Sequence, residues 1–205
     1  MPTFRHIEQP SGANPDLRML AELMRKIPQL TAADIDELLP LWTRRGTLRR
    51  GEFLSQFGQV ENHLYFMLKG TMRIYMPLPE EDAYTGFAYP GTMVTSVPSF
   101  LSGQPSEFCV QALQQCELLA ISRADWMRLV EQNPNFGRFW RLEMERAVLG
   151  LIERQIDLLL PEPQQRLERV LKRSPHLFQL IPKRHIAAYL RMTPETLSRL
   201  GAVKS

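Results

Sequence analysis

The sequence predicts an α+β protein: an antiparallel barrel or sandwich of short strands with flanking helices, then one long helix, then a small all-α module. Three observations carry that prediction. Residues 42–122 break into short β-rich runs at roughly ten-residue spacing with glycines between them. Residues 134–160 hold apolar side chains three and four apart without interruption. Residues 161–205 switch to short helical pieces punctuated by proline. With 205 residues, 44% of them apolar, the chain can bury one good core and a small satellite domain.

Taken in order, residues 1–16 are polar with Pro and Gly and are expected as a flexible tail. Over 17–27, Leu20, Leu23, Met24 and Ile27 share one helical face, with Asn14 or Asp16 as cap. Thr31 caps a second short helix ending near Pro40. The strands follow as TLRRG, EFLSQFG, HLYFMLKG, TMRIYM, YTGFAYPG, FCVQAL and CELLAIS, turning at Gly51, Gly58, Gly70, Gly91 and Gly103. Ser122 caps a helix over 123–132, which closes a first domain at 17–132. Asn133 and Pro134 open a helix over 133–160, roughly 40 Å long at 1.5 Å per residue. It carries two apolar stripes. Trp140, Met144, Ala147, Leu151 and Leu158 form one, and Phe139, Val148, Ile152 and Leu159 the other. Two apolar faces need two partners: the β-domain for one, and a second copy across a two-fold axis for the other. Pro161 and Pro163 end the helix and begin a module at 161–205.

No apolar run approaches the roughly 20 residues that cross a bilayer, and MPTFRHIEQPSG lacks a secretory apolar stretch, so a cytoplasmic protein without membrane contact is expected. Cys109 and Cys116 make no disulfide framework and no metal motif, and are expected as buried thiols. Trp42, Trp126 and Trp140 are expected as core anchors. The net charge of +3 is uneven: residues 162–205 hold nine Lys/Arg against three acids, leaving the remainder at −3. A basic module on a slightly acidic body points to a polyanionic partner for the module alone. No nucleophile with a matching base, metal-ligand cluster or phosphate-binding glycine loop is present, so neither an enzyme nor a metal is expected.

The stretch IPKRHIAAYLRMTPETLSRL fits two short helices. Ile186, Tyr189 and Leu190 lie on one side of the first, and Ala187 leaves room for a close crossing. Thr193 is a good N-cap, Pro194 falls at the first helical position, and Leu197 and Leu200 face inward. Glu195 and Arg199 then project together, flanked by Thr196 and Ser198. This is the helix-turn-helix pattern that enters the major groove of DNA, where Arg can bind guanine O6 and N7 and Glu can accept from a cytosine amino group. Lys183, Arg184, Thr193, Glu195, Thr196, Ser198 and Arg199 are the candidate contacts to double-stranded DNA. A homodimer would set two such helices about 34 Å apart on one DNA face.

Over roughly residues 39–200 the order of parts and the motifs HLYFMLKGTMRIY, with Lys69 and Gly70 at its turn, QCELLAISRADWMRLVEQNP and TPETLSR resemble the Crp/Fnr superfamily of bacterial transcription regulators. The resemblance implies a jelly-roll-like β-roll of the cyclic-nucleotide-binding type at 17–132, a dimerisation helix, a C-terminal helix-turn-helix, and RNA polymerase as a further partner. Three departures qualify it. Where relatives that bind cyclic AMP place Glu and Arg, this chain has Ser96 and Ser106, and no Lys or Arg occurs between Arg73 and Arg123, although Glu80, Glu81, Asp82 and Glu107 do. A desolvated phosphate without a cation costs several kcal/mol, so cyclic AMP is not the expected effector and no cofactor is expected. The pocket implied by the resemblance, Thr92, Thr95, Ser96, Ser106 and Glu107, would take a neutral or apolar ligand, an anion weakly, or nothing. Arg191 stands where the family commonly has a turn glycine. The sequence also stops at Ser205 without the two-stranded wing, which implies fewer phosphate contacts. Two cysteines are too few for the usual iron–sulfur cluster, and His63 and His185 are expected as surface or locally bonded histidines rather than haem ligands. The rival expectation is a ligand-binding or protein-interaction module whose truncated helix-turn-helix no longer binds DNA.

Overall fold

The computed structural model describes residues 3–6 and 15–202. Helices α1 (Pro15–Met24) and α2 (Ala32–Leu38) come first among the helices, and a 3-10 turn at Leu39–Leu41 leads into the strands. Thr31 caps α2 as expected: its hydroxyl accepts from the Asp34 amide at 3.2 Å while Asp34 Oδ2 accepts from the Thr31 amide at 2.7 Å. Asp34 also accepts from Asn133 and Asn135, which fastens this corner to the start of the long helix.

Two antiparallel sheets make the roll. The strands are β1 (Thr3–His6), β2 (Arg44–Leu48), β3 (Phe53–Ser55), β4 (His63–Lys69), β5 (Met72–Met76), β6 (Ala83–Ala88), β7 (Met93–Val94), β8 (Cys109–Ala112) and β9 (Cys116–Ser122). One sheet runs β1-β2-β9-β4-β7 and the other β3-β8-β5-β6. Strand β1 corrects the expected tail: Thr3–His6 pairs with the outer edge of β2, whose ladder groups would otherwise stay open. Pro15 and Asp16 belong to α1. The rest of that tail, residues 1–2 and 7–14 with the candidate cap Asn14, lies outside the described residues, as does Lys204.

Strands β4 and β9 are apolar on both faces because each face meets a different core. Leu64, Phe66, Leu119 and Ile121 pack with α1, α2, α4 (Arg123–Gln132) and the start of α5 (Pro134–Leu159). Tyr65, Met67, Leu118 and Ala120 face the space between the sheets, meeting Met72, Val110 and Ala112. At the β4–β5 turn, Gly70 has φ +87°, and a Cβ there would overlap the Gln115 carbonyl and come within 2.6 Å of Cys116 Sγ. Only glycine fits that approach. Cys109 and Cys116 are buried free thiols, and Trp42 and Trp126 are fully buried, as expected.

The first half of α5 lies on the roll. Trp140 packs there, half-buried and edge-on to Phe100 and Trp126, which fits its expected role as a core anchor. Met144 and Leu158 are half-buried, while Ala147 and Leu151 are exposed. The apolar face that α5 leaves open is Leu149, Ile152, Ile156 and Leu159, spaced three and four apart, with Val148 and Leu151 alongside. A rotation of part of a turn separates this seam from the one expected.

The C-terminal helices are α6 (Pro163–Arg173), α7 (Leu177–Leu180), α8 (Lys183–Tyr189) and α9 (Pro194–Ala202), with α3 (Val97–Ser102) inserted earlier in the roll. A third core joins this module to the roll. Tyr75, Tyr84 and Cys109 of the smaller sheet point outward and pack with Leu167, Ile181, Ile186, Tyr189, Leu190 and Leu197. Among the described residues no helix is long and apolar enough to cross a membrane.

Candidate nucleic-acid interface

Helix α8 buries Ile186, Ala187, Tyr189 and Leu190, the residues expected to face inward. It ends in a Schellman arrangement: the Met192 amide donates to the Ala187 carbonyl at 3.0 Å and the Arg191 amide to the Ala188 carbonyl at 3.1 Å. Arg191 takes the left-handed position of that motif with φ 50°. Thr193 then caps α9, its hydroxyl accepting from the Thr196 amide at 3.2 Å. Leu197 is buried beneath α9 and anchors it.

The opposite face of α9 is open. Glu195, Ser198 and Arg199 are exposed, Thr196 is half-buried, and Thr193 stands exposed at the start. Lys183 and Arg184 are exposed at the first turn of α8. The structure therefore sets all seven expected DNA contacts on the module's surface. Among the described residues no ion pair joins Glu195 to Arg199, so the guanidinium keeps its donors. Its own backbone amide and the Thr193 hydroxyl hold the Glu195 carboxyl below the ordinary carboxylate range. A free guanidinium and an ionised carboxylate one turn apart can donate to one base edge and accept from another.

The docking of the module was not foreseen in the sequence. His185 Nδ1 lies 2.9 Å from the Tyr84 hydroxyl, which also receives Arg73 Nη1. His176 Nε2 lies 2.9 Å from the Tyr89 hydroxyl. Arg154 of α5 donates Nε to the Tyr84 carbonyl at 3.1 Å and lies 3.8 Å over the Tyr189 ring. Burial, then the charges of Arg184, Arg73 and Arg50, press the His185 pKa down to about 4, so the ring is neutral near pH 7. At the joint with α5, the fully buried Asp157 receives Arg169 Nε at 2.6 Å and Arg173 Nη2 at 2.5 Å. The available signal was the outward run of Tyr75, Tyr84 and Phe87 on the smaller sheet, which a solvent-facing strand would not carry.

The expected ligand pocket is gathered only in part. Ser96 and Ser106 are buried and their hydroxyls are 2.6 Å apart. Ser106 also bonds the Phe108 carbonyl, so the pair is consumed within the fold. Thr95 donates to the His63 carbonyl at 2.9 Å. Thr92 closes a turn by donating to the Tyr89 carbonyl at 2.7 Å, and Glu107 is exposed; neither joins the serines, because each serves a local turn or solvent instead.

Residues 45–133 match the family model of the cyclic nucleotide-binding domain. Among solved structures, FixK2 from Bradyrhizobium japonicum superposes with a TM-score of 0.68 at 16% identity, covering 77% of this chain and 82% of that one. The c-di-GMP-responsive global regulator CLP of Xanthomonas campestris superposes with a TM-score of 0.64 at 17% identity, covering 83% and 89%. The chain has the Crp/Fnr fold. That fold joins the roll to the long helix and the short C-terminal helices, and these superpositions take in 77–83% of the chain. Among curated proteins, patatin-like phospholipase domain-containing protein 7 of Rattus norvegicus is 26% identical over 87 residues, 42% of this chain but 6% of that protein. The chain thus spans a small fraction of the curated relatives it matches.

Proposed function

We propose that the protein is a homodimeric, sequence-specific DNA-binding transcription regulator of the Crp/Fnr type whose effector is not cyclic AMP. The observation that carries this reading is the open face of α9, where Glu195 and Arg199 project from a helix capped by Thr193 and anchored by Leu197. Lys183 and Arg184 supply phosphate contacts beside it. Two copies meet along Leu149, Ile152, Ile156 and Leu159, a seam with coiled-coil spacing that would otherwise leave four large apolar side chains in water. RNA polymerase is the further partner such a regulator would engage. The serine pair at Ser96 and Ser106 offers no cation to a cyclic phosphate, which supports a different effector.

Selection of binding sites from random duplexes, followed by titration at several salt concentrations, tests the proposal. A two-fold-symmetric site bound with a steep negative salt slope is expected, and affinity indifferent to sequence and salt refutes it. Arg199→Ala should lose about 1–3 kcal/mol on the selected site and relax preference at one base pair per half-site. Replacing Ile152 and Ile156 together by Glu should yield monomers in sedimentation; an unchanged dimer would put the interface elsewhere.

A further inference from the structure

Beside β3 and the start of β4 lies a cleft of about 290 Å³ that the DNA-binding reading leaves unused. Phe53, Val60 and His63 stand among its walls, and Ser55, Glu61 and Tyr65 are buried lining residues at its floor. Glu61 is 5% exposed. Its Oε1 accepts from the His63 amide at 3.0 Å and the Tyr65 hydroxyl at 3.1 Å, and the Ser55 hydroxyl and Asn62 amide also donate to the carboxylate. Every one of these donors is neutral; the charge of Arg44 is felt at His63 and Tyr65, and the His63 ring, its pKa lowered by burial and then by Arg44, is the other titratable group in the walls. Among the described residues no ion pair reaches Glu61, although the acids at Asp157, Glu117 and Asp82 all have an arginine. A carboxylate taken out of water without a counter-charge is costly even when its hydrogen bonds are made. Burial accordingly pushes the Glu61 pKa up to about 6, against the lowering effect of its four donors.

We propose that this cleft binds a small organic cation, an alkylammonium group seated on the Glu61 carboxylate beside the Tyr65 and Phe53 rings. An ammonium brings both the missing charge and further donors, and aromatic faces favour a cation over a neutral group of the same shape. One carboxylate among hydroxyls and amides is too few ligands for a metal ion, and no cluster of three metal-ligating side chains exists among the described residues. Anions are disfavoured by the same carboxylate. The Glu61 amide donates to Ser99 Oγ of α3 at 2.9 Å, so an occupant would be felt in the segment that carries Ser96.

The test is a titration of the isotope-labelled full chain with n-butylammonium chloride, against n-butanol at matched ionic strength, followed by amide NMR shifts. Expected are saturable shifts across residues 61–65 with n-butylammonium, half-saturating at about a tenfold lower concentration than n-butanol. Affinity should fall about tenfold between pH ~7.5 and pH ~5, as the carboxylate takes up its proton. Glu61→Gln should abolish the response. Val60→Trp, which fills the mouth from an exposed position and leaves the carboxylate in place, should abolish it too and serves if the first variant misfolds. Equal response to the alcohol, no saturation, or ammonium binding that survives in a folded Glu61→Gln or Val60→Trp protein would overturn the proposal.

Discussion

Arg191 is the residue at which side chain and backbone disagree. The Schellman turn between α8 and α9 requires a left-handed residue, and arginine sits there with φ 50°, the one non-glycine among the described residues at positive φ. That conformation costs an L-residue on the order of 1 kcal/mol, and glycine avoids it. Arg191 also adds its charge near Arg154, whose own pKa is lowered, by burial first. Arg191→Gly should therefore raise the melting temperature by a few degrees in a calorimetric scan, and a clear fall would mean that the side chain makes a compensating contact. The turn was legible from residue types, since IAAYLRMTP places apolar, turn and cap residues in order, but the left-handed position at Arg191 came only from the resemblance, which puts a glycine there. Glu61 was not legible. Flanked by the exposed Val60 and Asn62, it has the sequence context of a solvated turn residue, and only the fold of β4 and α3 around it reveals the burial.

At the scale of elements, the joint between α5 and α6 depends on one side chain. Asp157 is 1% exposed and holds Arg169 and Arg173, while Glu153 reaches both arginines from one turn earlier. Asp157→Asn keeps the shape but removes the charge, leaving two guanidiniums facing a neutral amide. Because both arginines remain partly solvated, the loss should be about 1–3 kcal/mol rather than the larger value of a fully buried pair. Chemical denaturation measures it; a change below ~0.5 kcal/mol would show that Glu153 alone suffices. The strands were the most legible elements in type, since short β-rich runs between glycine turns mark them, but not in bounds or register: the expected TLRRG meets β2 only at Thr47 and Leu48, and the two-residue β7 left no run of its own. The stripes of α5 were legible as stripes but not as partners: Trp140 and Ile152 obey the same helical spacing, and which face meets the roll depends on the angle at which Asn133 and Pro134 launch the helix. Strand β1 left no usable signal, because TFRH is short and precedes a polar stretch.

At the scale of the whole molecule, the roll and the helix-turn-helix share a core, so the orientation of α9 is set by the roll. Alternation on β5 and β6 does not say which face is outward, so the aromatic run of Tyr75, Tyr84 and Phe87 could signal a covered face but not the module that covers it. The polar centre of the contact is His185, faced by Tyr84 of β6, Arg73 of β5, Arg184 of its own helix and Arg50. Its folded pKa is pressed down to about 4 from an ordinary 6.5, so the folded protein resists the proton that the unfolded chain accepts. This contribution is complete above pH 6.5 and declines as pH falls from 6.5 towards 4. A charged ring would meet three arginines and lose its role as acceptor, and the module should loosen on the roll. Acidification from pH ~7 to ~5 should therefore lower the melting temperature more in the wild-type protein than in His185→Gln, whose amide cannot titrate in that window. Amide exchange in α8, corrected for its intrinsic pH dependence, should accelerate in the wild-type protein alone. Parallel pH slopes in the two proteins would show that the docked arrangement is held by the apolar core without help from this histidine.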